Sequence, residues 1–129
     1  MPTQTLVDRQ LKEGSILIEL IKRVGMRPKA AFWYYATEVD RWSLVIQLAG
    51  LSNDFSQKDI YKRIELARRS LGADFTLPLH DIVVESPHSP LANTVRQKLA
   101  KRPGPKEGFH YIGERVGIYF IEDVYVYFL

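Results

Sequence analysis

The sequence contains no cysteine, and that absence removes disulfide scaffolds, thiolate zinc sites, iron–sulfur clusters and a cysteine nucleophile. Net charge is also small: 18 basic residues against 15 acidic leave +3, a balance that permits contact with nucleic acid without demanding it. Long hydrophobic runs are missing. The most apolar stretches, around Ala30 to Ala36 and Leu44 to Leu51, fall far short of the roughly 20 residues of a membrane helix. Asp8, Arg9, Lys12, Glu13 and Glu19 interrupt the first residues, so no secretory apolar core is expected there. Together these absences point to a cytoplasmic protein with no membrane association. Chemistry-bearing motifs are lacking as well. There is no Gly-x-Ser-x-Gly elbow, phosphate loop, dinucleotide glycine fingerprint or His-Glu-x-x-His. No cofactor is called for, and the reading leans away from an enzyme.

What is present suits one domain spanning residues 1–129, because 46% hydrophobic and 12% aromatic content supplies enough apolar surface to offset chain entropy. Leu6, Leu11, Leu17, Ile18, Ile21 and Val24 recur near helical spacing and stop at Gly25, predicting an amphipathic first helix. Lys29 to Thr37 and Trp42 to Ala49 read as strands of a hairpin. Ile60, Ile64, Ala67 and Leu71 then keep helical spacing up to Gly72, behind a cap at Ser56. Asp81 to Glu85 is a short strand, and Ser89-Pro90 opens a third helix marked by Leu91, Val95 and Leu99. Phe109 to Leu129 forms two antiparallel strands, turning near Gly113-Glu114 or near Glu122-Asp123. The expected class is α/β (α+β), with a mixed sheet of about five strands and three helices in the order α-β-β-α-β-α-β-β.

Four segments carry a resemblance. Ala31-Phe32-Trp33-Tyr34-Tyr35, Arg41-Trp42-Ser43-Leu44-Val45-Ile46, Tyr61-Lys62-Arg63-Ile64 and Gly117 through Tyr127 resemble small uncharacterised bacterial proteins with a tryptophan-bearing hairpin and an Ile-Glu-Asp-aromatic ending. The resemblance implies a bacterial origin and no mechanism.

Three sets of residues are candidates for function. Trp33 and Tyr35, joined by Tyr125 and Tyr127 if their strands pair suitably, would form an aromatic patch for protein recognition, since Tyr and Trp combine apolar area with a polar tip; cover by the first helix is the competing reading. Lys98, Lys101, Arg102 and Lys106 surround a Pro-Gly-Pro loop that would contact a nucleic-acid backbone. Glu122 and Asp123 interrupt an aromatic run. In an unbroken strand one of them would face the core and call for a metal or an arginine partner, whereas a turn or bulge would leave both in water. A gathering of His80, Asp81, Glu85 and His88 fails the geometry of a metal site and reads as a solvated strand end. The functional expectation is a non-catalytic binding or protein–protein interaction module, which binds a protein partner or a second copy of itself through the aromatic sheet face. The alternative is a nucleic-acid-binding protein with metal-dependent nuclease activity.

Overall fold

The computed structural model describes residues 8–36, 40–50, 57–100, 109–116 and 119–129, and for Ala36, Gln57, Lys98, Ala100 and the stretches 109–116 and 119–123 it describes the backbone alone. Helix α1 (Asp8–Arg23) leads into the hairpin β1 (Pro28–Ala36) and β2 (Arg41–Leu48), followed by α2 (Gln57–Ser70). A 3-10 turn (Leu79–Asp81) precedes β3 (Ile82–Glu85), then come α3 (Pro90–Ala100), β4 (Phe109–Val116) and β5 (Tyr119–Phe128). The class is α+β, with three helices and a mixed sheet among the described residues. Strands run in the order β3-β2-β1-β5-β4. β2 and β3 are parallel, and the other neighbours are antiparallel.

Both faces of the sheet are covered. Alternation puts Ala31, Trp33, Tyr35, Trp42, Leu44, Ile46, Ile82 and Val84 on one face, beneath Leu17, Ile18 and Ile21 of α1 and Ile60 and Ile64 of α2. Phe32, Val45, Val124 and Val126 occupy the other face beneath Leu91, Ala92, Val95 and Leu99 of α3. Helix α1 ends where its sequence stops favouring helix. Gly25 takes φ +94, its N–H donates to the Lys22 carbonyl and the Met26 N–H donates to the Ile21 carbonyl, which is the left-handed glycine cap with its two reaching hydrogen bonds.

Two polar ties fasten the helices, α1 to the loop after α2 and α3 to the sheet. Glu13 on α1 is 7% exposed and accepts from the Thr76 N–H at 2.9 Å, the Thr76 hydroxyl at 2.8 Å and the Leu77 N–H at 3.0 Å. On the opposite face Gln47 of β2 is fully buried. Its amide donates to the Ser86 and Pro87 carbonyls, both at 3.1 Å, and its oxygen accepts from Arg96 of α3 at 2.6 Å. The edge strand β3 is guarded by α2, whose Tyr61 hydroxyl accepts the Val84 N–H at 2.9 Å, a pairing that removes one open donor from the edge.

The structure corrects the position of the C-terminal turn. Glu114 lies inside β4, paired with Ile121, and Asp123 lies inside β5, paired with Ile112 on one side and Tyr35 on the other. β5 is an interior strand, so turning at Glu122-Asp123 would forfeit ladder hydrogen bonds to two neighbours at once.

Candidate functional site

The aromatic residues nominated as an exposed patch lie under α1. Trp33 is 0% and Tyr35 2% exposed, which corrects the expectation that they present a docking surface. The cause is the apolar stripe of α1, which closes over that face and satisfies the polar tips internally. The Trp33 indole N–H donates to the Tyr127 hydroxyl at 2.9 Å, and that hydroxyl donates to the Leu11 carbonyl. Burial pushes the Tyr127 hydroxyl pKa up to about 12. Gly14 of α1 sits directly over this pair, and a Cβ there would collide with the Tyr127 hydroxyl and stand 3.1 Å from the indole nitrogen. Tyr125 and Tyr127 are half-buried beside it, their rings 5.7 Å apart at 76°.

The remaining sequence candidates are not brought into a described site. Lys98 lies on α3 with only its backbone described, and Lys101, Arg102 and Lys106 lie outside the described residues. Glu122 and Asp123 belong to β5 by backbone pairing, and their side chains lie outside the described residues. Among the described residues no group of three His, Cys, Asp or Glu side chains could hold a metal.

Asp81 and Glu85 differ from the expected solvated strand end, since each has one buried oxygen without a hydrogen-bond partner. Asp81 lies 3.8 Å from the Arg41 guanidinium and 3.5 Å from the His80 ring. Glu85 reaches from β3 to the first turn of α3, where its carboxylate accepts from the Ser89 hydroxyl and the Ala92 N–H, and burial outweighs those bonds and raises its pKa. Glu85 is enclosed because α3 starts beside the end of β3, and Asp81 because β2 brings Arg41 alongside it, neither of which residue spacing along the chain reveals.

A different surface stands out. Ile16 and Leu20 on α1 and Val24 just past its end repeat at intervals of four, a second apolar stripe beside the buried one. Val24, placed with the core stripe in the sequence reading, is 54% exposed, and so are Ile16 at 43% and Leu66 of α2 at 60%. These are not scattered. Val24 and Leu66, with Arg63, Ala67 and Ser70, line a depression of about 410 Å³ between the two helices. A second depression, of about 260 Å³, is lined by Ile16, Leu20 and Leu71 together with Ser15, Glu19 and Arg23. At the other end Arg63 is shared with a smaller pocket of about 170 Å³, lined also by Arg27 and by Ala49 and Gly50 after β2. These shallow depressions lie along the outside of α1 and α2, mostly apolar beside the helices and basic where α1 ends. The signal for it was the pair Ile16 and Leu66, apolar residues standing off the main helical stripes.

No helix among the described residues is long and apolar enough to cross a membrane. Comparison of the chain with models of known families, with curated proteins and with solved structures finds no match.

Proposed function

We propose that the protein is a non-catalytic binding module that takes an amphipathic helical segment of a partner protein in the groove between α1 and α2. The observation that carries this is the placement of Ile16, Val24 and Leu66, the exposed large hydrophobic side chains among the described residues, in depressions along α1 and α2. Singly placed apolar residues on a surface need no explanation, whereas an apolar strip between two helices matches the way grooves receive the apolar face of a third. The aromatic sheet face no longer serves as the contact, since α1 already occupies it. A cytoplasmic location belongs to the same reading and is supported by the missing cysteines.

A short amphipathic peptide, with leucines at alternating intervals of three and four, tests the proposal when titrated into isotope-labelled protein. Amide shifts are expected at Ile16, Val24 and Leu66 and not on α3. Leu66→Lys is expected to weaken binding about tenfold, the equivalent of one buried leucine side chain, while leaving the melting temperature nearly unchanged because the site is exposed. Shifts confined to α3, or no binding to the wild-type chain, overturn it.

A further inference from the structure

Most of the described arginines are engaged. Arg9 meets Glu13 at 3.3 Å, Arg41 meets Asp81 at 3.8 Å, and Arg68 and Arg69 grip Glu65 at 2.8 and 3.0 Å; Arg96 donates to Gln47 and Asn93. Arg27 and Arg63 contrast with all of these. Both are exposed, both line the same pocket of about 170 Å³ at the end of the groove, and neither guanidinium has an ion-paired or hydrogen-bonded partner among the described residues. Among the described residues no acidic side chain lines that pocket. The backbone also makes room for one of the two guanidinium groups. Gly50 adopts φ +81, and a Cβ there would stand 3.0 Å from an Arg27 guanidinium nitrogen, so a larger residue would be strained and would press on the group. Two unengaged planar forks around a small polar hollow are suited to a carboxylate, whose two oxygens match guanidinium geometry.

We infer that the Arg27–Arg63 pocket is a carboxylate-binding subsite, so that the segment received by the groove is acidic at the end lying against the C-terminus of α1. This rests on the groove reading and adds the polarity of the partner to it. The apolar strip supplies area and the arginine pair supplies direction, because a segment laid in reverse leaves its acidic end away from both cations.

Three amidated peptides sharing one leucine pattern distinguish the two ideas by fluorescence anisotropy. One carries glutamates at its N-terminal end, one at its C-terminal end, and one carries glutamine at both. One of the acidic peptides is expected to bind about fivefold tighter than the glutamine peptide, in line with two exposed ion pairs. That advantage should vanish in the Arg27→Gln, Arg63→Gln double variant and shrink at high salt. Neither substitution removes a fold contact, so circular dichroism should be unchanged. If no acidic peptide gains, or if the gain survives in the double variant, the inference is overturned while binding of the glutamine peptide still upholds the groove. If no peptide binds, both fall.

Discussion

The two faces of the sheet bury charge in opposite ways. Beneath α1, Glu13 is enclosed by donors from Thr76, Leu77 and Arg9. Burial pushes its pKa up, but those hydrogen bonds outweigh it and hold the carboxyl below its usual range. Beside α3, Glu85 has two donors, Ser89 and Ala92, and one buried oxygen unpaired, so burial prevails and the pKa rises. The same residue type is a fastening on one face and a strained cap on the other, as donors converge on Glu13 and desolvation prevails at Glu85.

The largest break in this comparison comes from the aromatic core of the first face. Trp33→Ala is expected to cost about 3–5 kcal/mol, because it empties a fully buried site and leaves the Tyr127 hydroxyl without its indole donor. Chemical denaturation with an unchanged slope would register it as a shift in midpoint; a loss below about 1 kcal/mol would mean the packing of α1 on Trp33 is not as described.

Glu13→Gln comes next, at about 2 kcal/mol, since an amide nitrogen would confront backbone donors on Thr76 and Leu77. A carboxyl with a depressed folded pKa stabilises above its unfolded value of about 4.3 and loses that contribution as pH falls through the folded value. The wild-type advantage over Glu13→Gln should therefore be full at neutral pH and shrink in acid, which melting curves across that range can read.

The smallest effect has the reverse sign. With a raised folded pKa, Glu85 contributes most when protonated, and stability is lost as pH rises from the unfolded value through the folded one. Glu85→Gln should thus gain about 0.5 kcal/mol at pH 8 and nothing in acid. If it destabilises at every pH, the capping of α3 by the ionised form matters more than its desolvation.

Much of the layering was legible because local signals and packing agree. Leu17, Ile18 and Ile21 mark the buried side of α1, Gly25 and Gly72 end two helices with positive φ, and Pro90 opens α3 at the position where a missing N–H costs nothing. Alternation also separated Trp42, Leu44, Ile46 and Leu48 from Ser43, Val45 and Gln47, as the two cores confirm for the apolar members. Periodicity, however, states which side of an element is buried without stating which neighbour buries it. The fate of Trp33 and Tyr35 depended on α1 closing over them, and the need for glycine at position 14 arises from Tyr127, far along the chain. Glu13 likewise finds its donors 63 and 64 positions away. The groove was hidden for a related reason: Ile16 and Leu66 each look like isolated apolar residues until α1 and α2 lie side by side.

The placement of β5 between β1 and β4 has a consequence for how the chain is made. Trp33 and its partner Tyr127 are 94 positions apart, and one whole edge of β1 pairs with nothing else. During synthesis the hairpin, α2 and β3 can assemble while that edge still displays open N–H and C=O groups and an apolar surface on both sides. Closing so long a loop adds entropy cost and slows the final step. The interval before β5 arrives is when this chain is most exposed to pairing with another copy of itself, so the strand that completes the sheet also ends its period of greatest aggregation risk.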